Sequence, residues 1–330
     1  MSYFLSVQNA PFSPQLIVPL SKVYEYKGRQ PYQLELLKQN RRIIKQATIR
    51  NDATYSGRFL RIDLSHQRYK LLVNEEHEPS NRKEKLIDNL LKSFKIIHEA
   101  ESNWKLTTTG IIELFEYIFM DYDPNATLRN KRSRIEKRQQ LDEIIGQFNR
   151  LVQDGEVELL TQFCAFTIDF INLRIFDDYN EFIGLIVLML LLKQYGFKIV
   201  DYESFFMTIV ETENQFVEAF NKSSLNWEIG LPQYFFFTKY IVDTLAKMYE
   251  RFEKVCKNFQ YDRRYSKEEL VEQIINSFKG RFSKEDIRKL NPFISDSTIN
   301  RTLKRLKEEG LIEPLGKGRS AKWQKTRREF

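Results

Sequence analysis

Glycine is scarce in this chain, twelve in 330 residues, against ~7% in average usage. Apolar residues recur at helical rather than alternating spacing over most of the length, so the two signals together predict a mainly α class. Only two cysteines occur, Cys164 and Cys256, far apart and in apolar helical contexts. That spacing gives no disulfide framework and no metal-binding pattern, and predicts buried thiols in a reducing compartment. Histidine is scarce: His66, His77 and His98, with none further along. All three are read as solvated or core side chains, and a histidine-based centre later in the chain would need a distant donor. No low-complexity run or internal repeat is present. The opening MSYFLSVQNAPF has neither a basic n-region nor an apolar h-region, so no signal peptide is read there and the cytoplasm is the expected location.

What is present is organised around Phe170–Phe197. A polar knot, Arg174–Glu181, leads into eleven almost wholly apolar residues, Phe182–Leu192. A bilayer crossing needs ~20 such residues, so this run predicts a helix buried on all sides in a protein core. Lys193 and Gln194 close it, and Gly196 fits the C′ stop. The knot then sits at a buried helix N-terminus, where free N–H groups and the helix dipole attract anions such as phosphate.

The residues of this knot resemble the Fic family of AMP-transferring proteins, whose motif HPFx[D/E]GNGRxxR also leads into a buried helix. RIFDDYNEFIGL, Arg174–Leu185, aligns with the motif without a gap. Phe176, Asp178 and Asn180 match it. Arg174 stands for the catalytic His, Ile175 for Pro, Tyr179 and Glu181 for the two Gly, and Phe182 and Leu185 for the two Arg. The flanks 141–171 and 190–224 are similar to the family's approach helices and following segment, and the likeness runs from about residue 140 to 260. The resemblance implies a Fic-like helical core whose active-site letters have been rewritten. It implies no catalytic residue, because arginine has no acceptor and cannot serve as the general base. It implies no bound cofactor either, since the phosphate-cradling Gly and Arg are replaced. Asp178 keeps the family's metal position, for weak divalent-ion binding. Many Fic proteins carry an inhibitory [S/T]xxxE[G/N] helix, and here Asp52 and Ser56 replace its Ser/Thr and Glu while Gly57 matches.

Upstream, residues 1–33 hold four prolines and predict an extended lead-in. Helices are predicted over Tyr32–Arg50, Asn81–Ala100 and Thr107–Phe119, with a polar break over Asp121–Arg134 and a long helix from Tyr234 to Phe259. Gln260–Tyr265 is read as a linker. The predicted domains are 1–130 and 131–260, the two parts of the Fic-like core, and 261–330, an appended module.

Charge marks that module. From Asp262 to Phe330 there are 18 Lys+Arg and 11 Asp+Glu, and the rest of the chain carries 34 of each sign, so the whole net charge of +7 lies in the last stretch. Such asymmetry implies an anionic partner. Ser266–Glu269 is a capping box opening a helix with Leu270, Ile274, Ile275 and Phe278 inward. A short helix over Ser283–Leu290, a turn at Asn291–Ile294, a helix capped by Ser295, and two strands around Gly316–Ser320 follow. The order resembles a winged helix-turn-helix. On its third helix Ile299, Leu303 and Leu306 form one stripe, with Ser297, Arg301, Lys304 and Arg305 on the other side. Lys317 and Arg319 would grip phosphate at the wing tip, and Arg301 is the expected base contact. Double-stranded DNA is the expected partner; a protein partner and a homodimer stay open. Three functions follow: a catalytically silent regulator or scaffold that binds DNA, an active nucleotidyl or phosphate-transferring enzyme with a non-standard site, and a protein-interaction partner only.

Overall fold

The computed structural model describes residue 7 and residues 13–37, 40–99, 106–119, 122–123, 131–262, 267–278, 280–291, 294–316 and 321–326. Among them are fourteen α-helices and one two-stranded sheet, so the chain is mainly helical. Two compact units are formed, Met1–Gln30 with Thr48–Glu250, and Pro31–Ala47 with Arg251–Phe330. No helix among the described residues is long and apolar enough to cross a membrane.

From residue 13 the chain departs from the predicted extended lead-in, and residues 1–6 and 8–12 lie outside those described. A 3-10 turn, Pro14–Leu16, runs into helix α1 (Ile17–Leu36). Pro19 lies in the first turn of α1, where its missing N–H leaves no bond unmade. Leu16, Leu20, Val23 and Gln30 are buried at i, i+4, i+7 and i+14, a helical stripe that outweighs the proline count. The single helix predicted over Tyr32–Arg50 is instead the end of α1 and the start of α2 (Arg41–Phe59). Arg41 Nε donates to the Leu34 carbonyl at 2.6 Å. It thereby satisfies one of the carbonyls that the end of α1 leaves open.

The larger unit continues with α3 (His66–Val73), α4 (Arg82–Glu99), α5 (Thr108–Phe119), α6 (Lys131–Asp154), α7 (Leu159–Leu173), α8 (Asn180–Gln194), α9 (Phe205–Glu211), α10 (Glu213–Ser224) and the first part, to Glu250, of α11 (Phe235–Asp262). The start of α6 at Lys131 falls inside the predicted polar break, most of whose residues lie outside those described. Helix α8 is the buried centre the sequence predicts: every residue from Phe182 to Leu192 is inaccessible to solvent or nearly so. α5 and α7 pack against it, and α6 packs on α7. Gly184 sets the approach of α7 to α8, because a Cβ there would lie 2.6 Å from Ile171 Cγ1. At the far end Gly196 has φ +85°. Its N–H bonds to the Lys193 carbonyl, and that of Phe197 bonds to Leu192, the paired bonds of a Schellman stop.

The smaller unit has its own core. Helices α12 (Lys267–Ser277), α13 (Lys284–Leu290) and α14 (Asp296–Glu308) precede strands β1 (Ile312–Pro314) and β2 (Trp323–Lys325). Leu270, Ile274, Ile275, Ile287, Ile299, Leu303, Leu306 and Ile312 are buried together, with Phe278 and Trp323 packed on them. Ser283 and Asp286 form a capping box at α13, and Ser295 caps α14 by accepting from Thr298 N. β1 and β2 are antiparallel, Glu313 opposite Gln324, and Phe282 adds a bridge to Trp323 that the sequence did not signal. Ser266 and residues 317–320 lie outside the described set, and α11 runs to Asp262, past the predicted start of the linker.

Candidate functional site

The knot is a short turn between two helix ends, and its backbone explains its residues. Arg174 ends α7 in the left-handed region at φ 50°, and Tyr179 precedes α8 at φ 66°. The left-handed region favours glycine, and Tyr179 occupies a position where the Fic motif has one. Its ring compensates by stacking on Phe119, centroids 4.2 Å apart. One turn earlier on α5, Phe115 stacks on Phe176 at 3.9 Å. The loop is thus clasped by two aromatic rings spaced i, i+4 on one helix.

Asn180 locks the turn from inside. Its Oδ1 accepts from Phe176 N at 3.0 Å, and its Nδ2 donates to the Phe176 carbonyl at 2.9 Å. The carboxamide is therefore spent on the loop's own backbone. Arg174, Asp177, Asp178 and Glu181 point to solvent. Glu181, in the first turn of α8, is favourably placed with respect to the helix dipole. Tyr179 is pushed up to about 12, chiefly by burial, with Tyr122, Asp123 and Asp178 adding to it. Among the described residues no group of three or more His, Cys, Asp or Glu side chains could hold a metal ion.

The two motif arginine positions are filled by core side chains. Phe182 is 1% exposed and Leu185 is fully buried. Phe182 lies 5.3 Å from the ring of Phe206, 6.1 Å from Phe119 and 6.2 Å from Phe59. A guanidinium there would have no water and no anion in this arrangement, at a cost that buried unpaired charges always carry.

A second polar cluster lies deeper, and spacing alone did not reveal it. His98 on α4 is fully buried, with Nδ1 3.0 Å from Asp201 and Nε2 3.1 Å from Asp52 of α2. Lys193 donates to Asp201 at 2.7 Å and to the His98 carbonyl at 2.8 Å. Ser204 Oγ and Phe206 N donate to the other oxygen of Asp52. Burial pulls the His98 pKa down, but its bonds to both aspartates outweigh this and the net direction is up. Burial likewise opposes ionisation of Asp201, yet His98 and Lys193 hold it below the ordinary carboxylate value. A carboxylate lies on each ring nitrogen, the setting that favours the protonated, doubly donating form of His98. Asp52 and Ser56, aligned above with the inhibitory helix, are buried on α2, and Asp52 bolts that helix to the core. Asp169 is another buried acid: Trp227 Nε1 and Tyr234 Oη donate to its Oδ1 at 2.8 and 2.7 Å. Burial raises it to about 7 against the pull of those bonds.

In the smaller unit α14 buries Ile299, Leu303 and Leu306 and exposes Ser297, Asn300, Arg301, Lys304 and Lys307. Arg301 Nε is 2.7 Å from Glu268, and Arg305 is 2.8 Å from Glu272 and 3.0 Å from Glu309. Glu268 and Glu272 are one turn apart on α12, so the two pairs make parallel rungs between α12 and α14. Arg305 is half-buried by its rung rather than turned outward as expected. Lys304 is the more open cation, 78% exposed. Asn300 and Lys307 belong to the same outward face and were passed over, though their i+3 spacing from Ser297 and Lys304 was legible. Lys317 and Arg319 lie outside the described residues.

The chain is similar in structure to a Fic family protein from Desulfovibrio desulfuricans G20, at 12% identity and TM-score 0.58 over 97% of this chain and 98% of that one. It is also similar to a Fic domain containing signaling protein from Bacteroides thetaiotaomicron VPI-5482, at 16% identity and TM-score 0.58 over 72% of this chain and 98% of that one. No protein-family model and no curated protein matches the chain by sequence. The likeness establishes a Fic-like helical fold.

Proposed function

We propose that this chain is a catalytically silent Fic-fold protein, a regulator or scaffold, whose residues 261–330 form a winged helix-turn-helix that binds duplex DNA. The observation that carries the silent reading is the burial of Phe182 and Leu185 where the Fic motif has its two arginines. Phosphate recognition in that motif depends on guanidiniums and on backbone N–H groups bared by glycine. Here one arginine position is inside an aromatic cluster, and the glycine positions carry Tyr179 and Glu181. Arg174 is exposed at the histidine position, and an arginine cannot take a proton from a target hydroxyl.

Calorimetry with ATP tests this part. The expected result is no binding tighter than about millimolar, ~4 kcal/mol, and no labelling of the chain or of a target by labelled ATP. A micromolar constant or detectable transfer would restore the enzyme reading.

Support for DNA binding comes from the +7 charge excess of residues 262–330 and from the polar outward face of α14. With Arg301, Lys304, Lys317 and Arg319 each neutralising one phosphate, log K falls against log[salt] with a slope of about −3.6 per monomer. A dimer doubles that slope and reads half-sites about one helical turn apart. Absence of binding to random duplex at low salt would leave the protein-docking reading. The rungs favour that second reading, because Glu268 and Glu272 already neutralise two of the arginines.

A further inference from the structure

We propose that Asn300 is the base-reading residue of α14 and that it selects an adenine in the major groove, an inference that rests on the DNA-binding reading above. The outward face of α14 offers five polar side chains, and their commitments differ. Ser297 Oγ is 2.8 Å from Ser295 Oγ. Arg301 is held by Glu268, and Lys304 lies 3.9 Å from Glu308. Asn300 is exposed and has no side-chain partner among the described residues. It stands between Ser297 and Lys304 on the same face, in the first half of a helix that begins at Asp296, the half that meets base edges in helix-turn-helix docking.

The chemistry then selects the base. A carboxamide presents one acceptor and one donor side by side. Adenine presents the complementary pair in the major groove, the N6 amino donor and the N7 acceptor. Guanine shows two acceptors there, so an amide pairs with it through one bond and leaves its oxygen facing another oxygen. Arg301 has the donors for guanine but must first abandon Glu268, stranding that carboxylate beside the DNA phosphates. Asn300 gives up only water. Lys304 and Lys307, as flexible point charges, suit the flanking backbone.

The test is selection from a randomised duplex pool with the full chain, run in parallel with Asn300→Ala and Arg301→Ala. The wild-type chain is expected to enrich sites sharing an adenine. Asn300→Ala should lose discrimination at that position, on the order of tenfold to a hundredfold. Arg301→Ala should keep the adenine preference. Retention of the same adenine by Asn300→Ala overturns the inference, as does its loss in Arg301→Ala alone. If none of the three proteins captures duplex, the DNA-binding reading itself falls and takes this inference with it. Binding without an Asn300-dependent preference removes the inference and leaves that reading intact.

Discussion

Both units use oppositely charged side chains to join helices, but the two sets are put to different use. In the larger unit Asp52, His98, Lys193 and Asp201 are almost wholly enclosed and satisfy one another from several elements. In the smaller unit Arg301–Glu268 and Arg305–Glu272 join α14 to α12 with every partner at least 31% exposed. A buried charge cannot exchange its partner for water, so the first set is architecture. A surface pair gives up ~0–1 kcal/mol when broken, so the second can be traded for another anion. The difference teaches where this chain can respond to a ligand without unfolding.

The strongest way to break the comparison is His98→Leu. Removing the imidazolium leaves Asp52 and Asp201 facing each other across the site with Lys193 on one side only. Loss of one member of a buried charge cluster costs about 3–5 kcal/mol, and the midpoint of urea denaturation of the full chain should fall accordingly. A change under about 1 kcal/mol would mean that His98 is not charged in the fold. The pH dependence has a definite sign. The His98 pKa is raised, so its contribution is complete below its ordinary value near ~6.5 and is lost as pH rises through the folded value. The Asp201 pKa is lowered, so its share is present above ~3.9 and is lost as pH falls through the folded value. The cluster is therefore most stabilising between about pH 3.9 and 6.5.

Asp169 sharpens the comparison, since it is equally buried but has no cation. Its pKa of about 7 exceeds the ordinary ~3.9, so the folded chain holds a proton that the unfolded chain has lost. Stability then falls as pH rises between those two values, by about 4 kcal/mol at most, taking about 1.4 kcal/mol per unit as an upper guide. Asp169→Asn keeps an oxygen to accept from Trp227 and Tyr234 and should flatten that stretch of the stability profile. The His98 contribution, which declines only above ~6.5, should survive. An unchanged slope between pH 4 and 7, as about the window of interest, would show that Asp169 is ionised throughout.

The contrast also marks what the residues revealed beforehand. The apolar run of α8, its Gly196 stop, and the inward faces of α12 and α14 were legible because period and caps are local properties. The knot's alignment is a matter of letters alone, and the left-handed backbone of Tyr179 is not legible in them. The His98 cluster was not legible: its members are 46 and 103 residues apart in sequence from their histidine, and no periodicity encodes such a meeting. The opening helix was misread because prolines were weighed by number: Pro19 falls in the first turn, and the buried stripe outweighs Pro31 in the helix interior. The arginine rungs escaped for a simpler reason. Outward direction was inferred from one helix alone, and the neighbouring Glu268 and Glu272 draw Arg301 and Arg305 back toward α12.

Glu268→Gln with Glu272→Gln is the mildest change and the one that separates architecture from exchangeable charge. Each glutamine keeps the size of the side chain and removes one surface ion pair. The loss in stability should be under about 1 kcal/mol per pair, and the denaturation midpoint should hardly move. Two released guanidiniums have a different consequence for the proposed DNA complex. They no longer choose between a carboxylate on α12 and a phosphate, and two negative charges near the duplex are gone. Affinity for random duplex should rise, while the salt slope steepens by at most about 0.9, since Arg301 is already among the four counted contacts and only Arg305, still 3.0 Å from Glu309, is new. Filter binding over a salt series measures both quantities on the same protein. A double variant that is strongly destabilised would make the rungs architectural after all. One that is stable but no tighter on DNA would show that α14 does not turn this face to the phosphates.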